Sequence, residues 1–371
     1  MQTTIMTVNI PEGHRILMTS DIHGHGHYLK NLLAKVNYSV EDILFIIGDI
    51  IEKGPRSLKT LRYIMELCRR GTVYVLMGNV DAWRLLMLDD DQKSDDRAFY
   101  QYILDNKRIW GGCLFLDMCE EMNLAISGPA DMPAARALMR DRYKIELDFL
   151  RGLPTIIETQ RFICVHGGLV SDHLEQCRQA DAMTLLKNDA FMEKGLSFQK
   201  YVIVGHWPVT LYDDKIPSAN PIVSRDQKII SIDGGCGLKR DGQLNMLILP
   251  AIRTRDFAFA DYDEFPVAIA LTPQEQSDHS FYIRYTDHDI TVLKREVEFS
   301  YAQHDSTGYR MWIHNDFIES NDKNTVCDDY TDYHLPVSRG DRLSIVKETS
   351  RGYLAKKNGV SGWYCGSIAY E

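Results

Sequence analysis

Five short apolar segments of the chain run into side chains that bind metal ions. Asp21 and His23 stand in "SDIHGH", Asp49 in "IIGDII", Asn79 in "LMGNVD", His166 in "ICVHGG" and His206 in "VIVGHWP". Imidazoles, an amide and carboxylates together suit a pair of borderline-hard divalent ions. A carboxylate such as Asp49 can bridge two ions roughly 3.5–4 Å apart, the spacing of two-metal hydrolytic sites. Gly24, Gly48, Gly78, Gly167, Gly168 and Gly205 flank the donors and permit sharp turns there. Taken singly, each donor has an ordinary explanation, since an Asp after a strand often caps the next helix. Their order, each at the end of an apolar run, leaves coincidence a poor explanation.

The runs themselves read as buried strands, being short, continuous and rich in branched residues: 15–20, 42–49, 72–79, 161–168, 201–208, 228–235 and 244–250. Between the first three, residues 28–36 and 57–71 space their apolar side chains as helices do, and the second closes on Arg69-Arg70-Gly71. Residues 84–160 are mostly helical in pattern, with the acidic run 89–96 expected to be a solvated turn. Strand–helix–strand alternation predicts an α/β domain with parallel crossovers, and sites form beyond the carboxyl ends of such strands.

The segments "SDIHGH", "GDIIEKGPRS", "GNVDAW", "VHGGL" and "VGHWP", in this order, resemble the motif set of calcineurin-like metallophosphoesterases. The nearest branch is the phosphoprotein phosphatase (serine/threonine phosphatase) family and its bacterial members, whose motifs read roughly GDxHG, GDxxDRG, GNHE, HGG and GH. The resemblance spans about residues 15–250. It implies a metallophosphoesterase β-sandwich flanked by helices. It also implies that Asp21, His23 and Asp49 hold one ion while Asp49, Asn79, His166 and His206 hold the second. The cofactors implied are two divalent ions, Mn first, with Fe and Zn as alternatives. The implied reaction is hydrolysis of phosphomonoesters by a hydroxide that bridges the two metals.

Three positions depart from that pattern. The histidine of GNHE is Val80, and the acid after it is Asp81. The Asp and Arg of GDxxDRG are Glu52 and Lys53. In the family that histidine protonates the leaving oxygen, supported by the aspartate, and the arginine clamps the phosphate. Val80 can carry no proton. Glu52, one methylene longer than Asp, is the candidate to reach the leaving oxygen instead, and Lys53 and Arg56 are the candidates to meet the phosphate. Small bacterial phosphodiesterases of the same fold carry GNCD at this point, so hydrolysis without the histidine has a parallel. His25 and His27 are expected to be loop residues near the entrance, Trp83 packing or cavity wall, and Cys164 and Cys236 buried small hydrophobes.

Lysine plus arginine number 42 against 52 acidic residues, a net charge of −10, which argues against nucleic acid or an anionic membrane as the main partner. The eight cysteines form no CxxC pair, and no basic-then-apolar leader opens the chain, so a reduced cytoplasm is the expected location. After Pro250 the pattern turns to alternating and aromatic-rich runs broken by Asp, Asn and Gly. The domains expected are 1–255, catalytic, and 256–371, β-rich. Within the latter, "GDRLSIV…GYLAKKNGVSGWYCGSI" (340–368) resembles bacterial SH3-type small barrels, with a protein partner as its expected contact. The substrate implied is a phosphorylated protein or a small phosphoester. Two other readings compete: a phosphodiesterase or nucleotide-polyphosphate hydrolase on the same site, and a pseudophosphatase that binds phosphorylated ligands.

Overall fold

A computed structural model describes residues 1–89, 95–254, 256–320 and 324–371. It divides into two compact units. The first comprises Met1–Pro208, Pro221–Leu238 and Gly242–Tyr262. The second comprises Val209–Asn220, Lys239–Asp241 and Asp263–Glu371.

The first unit begins β1 (Ile5–Thr7), β2 (Ile16–Thr19), α1 (Gly26–Lys35), β3 (Ile43–Ile47), α2 (Ser57–Arg70), β4 (Thr72–Leu76) and α3 (Asn79–Asp89). A helical stretch follows: α4 (Asp96–Trp110), α5 (Leu114–Met122), α6 (Met132–Arg142) and α7 (Lys144–Arg151). Then come β5 (Ile156–Glu158), β6 (Phe162–Val165), α8 (Leu174–Gln179), α9 (Ala182–Leu186), β7 (Tyr201–Val204), β8 (Ile222–Ser224), β9 (Ile229–Ser231), β10 (Leu244–Leu249) and β11 (Ala258–Tyr262).

These strands make two sheets, ordered β1-β5-β6-β7-β9-β8 and β11-β10-β2-β3-β4. Strands β2, β3 and β4 run parallel, as do β6, β7 and β9. The sheets meet face to face. Met18, Phe45, Ile47 and Leu76 from one pack with Ile157, Phe162, Cys164, Ile203 and Ile230 from the other. The opposite faces are covered too: Leu17, Leu44 and Ile46 pack among the residues of α1 to α7, and Ile163, Val165 and Val202 pack with Leu174, Cys177 and Leu185 of α8 and α9. Burial on both faces is why the strands read as unbroken apolar runs rather than alternating ones.

The structure departs from the sequence reading at three places. Strand β5 lies inside the stretch read as helical, being only three residues long. Strand β11, beyond the expected boundary at 255/256, pairs with β10 and belongs to the first unit. Residues 209–220 and 239–241, expected in the catalytic domain, belong to the second unit. Of the acidic run 89–96, residues 90–94 lie outside the described residues, while Asp89 ends α3 and Asp95 caps α4 by accepting the N–H groups of Arg97 and Ala98.

Among the described residues the second unit is all-β apart from two short 3-10 turns, Val209–Tyr212 and Asn315–Phe317. Five antiparallel strands form one sheet, in the order Val360–Tyr364, Gly352–Lys357, Arg342–Thr349, Val267–Ala270 and Ile368–Tyr370. Ile290–Arg295, Phe299–His304 and Arg310–His314 form another. Among the described residues no helix is long and apolar enough to cross a membrane.

Candidate metal centre

The six candidate donors gather where the strands of both sheets end. Asp21 and His23 follow β2, Asp49 follows β3, and Asn79 opens α3 after β4. His166 and His206 follow β6 and β7 of the other sheet. All but Asn79 and His206 are buried, and those two are largely covered. Asp21, His23, Asp49 and His206 take positive φ angles of 55°, 46°, 50° and 66°. Four such angles in non-glycine residues at one place are a cost of order 1–3 kcal/mol each, which surrounding structure must offset.

Asp49 stands between two groups of donors. Its Oδ2 lies 3.8 Å from His23 Nε2, which is itself 3.9 Å from Asp21 Oδ1. Its Oδ1 lies 3.2 Å from His166 Nε2, which is 3.0 Å from Asn79 Oδ1. The rings of His166 and His206 are edge to face at 5.3 Å. In the first group, one donor atom each from Asp21, His23 and Asp49 lies within 4.8 Å of the other two.

The polar atoms at this point fit a cation. Asp21 Oδ1 and both ring nitrogens of His23 are buried and have no hydrogen-bond partner. A buried polar atom left so costs about 1–3 kcal/mol, more when charged, and a bound ion would satisfy all three. Burial lowers His23 to about 3, so its imidazole is neutral with a lone pair to give. Burial also lowers His206, to about 4. His166 goes the other way: burial opposes its charge, yet Asp49 and Asp21 outweigh that and push it up to about 10. Without an ion, the carboxylates thus draw a proton onto an imidazole as their counter-charge.

Backbone N–H groups lock the donor loops together. Val80 N–H donates to Asp49 Oδ1 at 3.1 Å. Fully buried Asp81 accepts from Gly78 N–H at 2.9 Å, Ile50 at 3.1 Å and Ile51 at 3.2 Å. It therefore ties the loop after β3 to the loop after β4. Sequence reading noted Asp81 only as a substitute for Glu; its place in the first turn of α3, reaching back to the helix start, is the signal of a capping residue. Asp233, after β9, was also missed. It is buried, and its charge acts on Asp21, joining burial in raising that carboxyl.

Close approach explains the glycines. A Cβ on Gly78 would lie 2.0 Å from Asp49 N and 2.1 Å from its Oδ1. Gly78→Ala is therefore expected to lower stability by about 1–3 kcal/mol in urea unfolding, as overpacking does. Gly128→Ala, where a Cβ meets nothing within 4 Å, is the control and should leave stability nearly unchanged.

The residues proposed for acid and phosphate chemistry fare differently. Glu52 is turned to partners within the protein. Its carboxylate is fully buried and accepts from Arg84 Nε at 2.9 Å, Arg84 Nη2 at 2.5 Å, Leu114 N–H at 3.0 Å and Tyr102 O–H at 3.2 Å. The Arg84 guanidinium lies over the rings of Phe99 and Tyr102, at 4.9 and 5.4 Å. Arg84 escaped sequence reading because nothing in the motif set marks a residue one turn past Val80. Lys53 is half-buried, and its charge bears on both His23 and Asp49. Arg56 is exposed at the start of α2, lining a groove with Pro55, Lys59 and Glu120, and no described contact joins it to the six donors.

His25 precedes α1 and His27 lies within it, so His27 is helical rather than loop; both rings pack with Tyr28. Trp83 is 47% exposed and its ring lies 6.4 Å from that of Tyr102, so it is surface packing. Cys164 and Cys236 are buried, and burial pushes the Cys164 thiol up, as expected of inert residues.

A family model described as calcineurin-like phosphoesterase matches residues 14–229, more than half of the 371 residues. A symmetrical bis(5'-nucleosyl)-tetraphosphatase of Hamiltonella defensa subsp. Acyrthosiphon pisum is 45% identical over 65 residues, 17% of this chain and 23% of that protein. Its namesake from Buchnera aphidicola subsp. Schizaphis graminum is 28% identical over 140 residues, 36% of this chain and 50% of that one. The chain thus spans half or less of the length of these relatives. A protein serine/threonine phosphatase structure from Saccharomyces cerevisiae shares 12% identity over 71% of this chain and 84% of that one, with a TM-score of 0.43. With donors at the ends of two packed sheets and a family match running from before β2 to the start of β9, the chain belongs to the calcineurin-like phosphoesterases.

Proposed function

We propose that this chain is a metal-dependent phosphoesterase for substrates whose leaving group departs as an anion. Aryl phosphates and nucleotide polyphosphates come first, and alkyl phosphomonoesters such as phosphoserine come last. Asp21, His23 and Asp49 would hold one divalent ion, and Asp49, Asn79, His166 and His206 the second. Manganese is the first choice, with iron and zinc suited to the same donors. Bound divalent ions supply Lewis acidity that activates water at neutral pH and offsets charge developing on the phosphoryl group.

One observation carries this reading. The side chain at position 80 bears no proton, and the carboxylate at position 52 is committed to Arg84, so neither position offers an acid. A phenolate or a nucleotide phosphate tolerates that loss; an alkoxide does not. Lys53 contributes positive charge beside the site as a point charge, without the bidentate grip of Arg, so a bound phosphoryl group is held less rigidly. The names of the relatives, tetraphosphatases of bis(5'-nucleosyl) compounds, support the polyphosphate half of the reading. Residues 340–368 are read as an SH3-like contact module for a protein partner.

The test compares, with Mn²⁺ supplied, an aryl phosphate, a dinucleoside tetraphosphate and a phosphoserine peptide. A positioned acid is worth about 10²–10⁴-fold, so the peptide should lag by at least ~10². Equal rates, with chemistry rate-limiting, would sink the proposal.

A further inference from the structure

His206 is held by a residue the motifs do not contain. Its Nε2 lies 2.7 Å from Asp189 Oδ1, leaving Nδ1 as the nitrogen with a lone pair to give. His166 is arranged the same way with the nitrogens exchanged: Nδ1 lies 2.8 Å from the Ile47 carbonyl, and Nε2 faces Asn79 and Asp49. Each imidazole thus has the nitrogen away from the site engaged by an acceptor of the protein, which fixes the ring's rotation and, once an ion takes the other nitrogen, its tautomer.

The segment that carries Asp189 is anchored to the His166 loop. The N–H groups of Gly167 and Gly168 both donate to the Leu185 carbonyl at 3.0 Å. A Cβ on Gly167 would come 2.5 Å from the Leu186 carbonyl oxygen, and one on Gly168 would come 2.4 Å from the Phe191 ring. The paired glycines of "VHGGL" therefore let residues 185–191 lie directly on that loop. Asn188 extends the attachment, donating to the Leu169 carbonyl at 3.4 Å and accepting from Lys194. From this base Asp189 reaches His206, and Lys187 Nζ, at 3.0 Å, steadies its carboxylate.

We propose that Asp189 is the positioning residue of the second ion: by accepting the Nε2 proton of His206 it presents Nδ1 to the site. The inference rests on the reading of His206 as a metal ligand. A merely structural role is a poor fit, because the Asp189 side chain is 46% exposed and ion pairs in that setting contribute little to folding. Partners of this kind are worth about 10–100-fold in metal affinity.

The experiment titrates the metal-free full chain with Mn²⁺ against a chelating dye. It compares wild type, Asp189→Ala, Asp189→Asn and His206→Asn, with thermal melting of each metal-free protein alongside. Asp189→Ala is expected to weaken the second ion by about 10–100-fold, leaving the first ion and the metal-free melting temperature unchanged. Asp189→Asn, whose amide oxygen still accepts from Nε2, should fall between. Nitrogen NMR of the His206 ring should show the Nε2-protonated tautomer in wild type and a mixture in Asp189→Ala. If Asp189→Ala binds both ions as wild type does while His206→Asn loses one, the positioning role is wrong and the ligand reading stands. If His206→Asn also binds both ions normally, the ligand reading fails and takes the proposal with it. A fall in the metal-free melting temperature of Asp189→Ala that matches its loss of affinity would likewise overturn it.

Discussion

Asp49→Asn is expected to reduce Mn²⁺-supported turnover of an aryl phosphate by at least about 10³-fold, because several kcal/mol of charge stabilisation depend on metal binding. Asp49 turns Oδ2 toward His23 and Oδ1 toward His166, so the loss of its charge affects both groups of donors. The same substitution should remove the thermal stabilisation that added Mn²⁺ gives wild type, since an ion that binds only the folded state raises its stability by mass action. Melting with and without the ion checks the second half independently of turnover. Wild-type rates in Asp49→Asn would mean that the chemistry does not run through this centre.

The second large effect concerns folding. Arg84→Met leaves the Glu52 carboxylate buried without its guanidinium, and breaking such a pair costs about 3–5 kcal/mol. Urea unfolding of the metal-free protein measures it. The paired change Glu52→Leu with Arg84→Met should recover most of that loss, because an uncompensated buried charge, rather than a missing attraction, is the main cost. Glu52→Gln carries a further expectation: it should destabilise the fold yet leave the ratio of aryl to alkyl turnover unchanged. A selective loss of alkyl turnover would return Glu52 to the role of acid.

Strand ends and donor types were legible because buried strands show as continuous apolar runs and each donor closes one of them. The two-sheet arrangement followed from resemblance rather than from pattern, since periodicity alone does not reveal which sheet a buried strand joins. Position 80 was legible as a departure from the family pattern, but the fate of Glu52 was not. Its partner Arg84 sits on the next turn of α3, and only packing among Phe99, Tyr102 and Leu114 turns the carboxylate that way. Asp189 was hidden for a related reason. It stands 17 residues before His206 in the chain and reaches it from a segment that two glycines let lie against the His166 loop. Short elements were hidden as well, β5 being too brief to show a period.

The contact from position 80 to Asp49 is made by main chain alone. That makes position 80 an interchangeable socket: on the proposed function, its occupant would vary the range of departing groups while this hydrogen bond to Asp49 stays. Refitting the socket has a condition attached. On the proposed function, an imidazole introduced there would still lack a free carboxylate at position 52, which Arg84 claims, so restoring alkyl ester chemistry would call for an exchange at three positions, 52, 80 and 84, rather than at one.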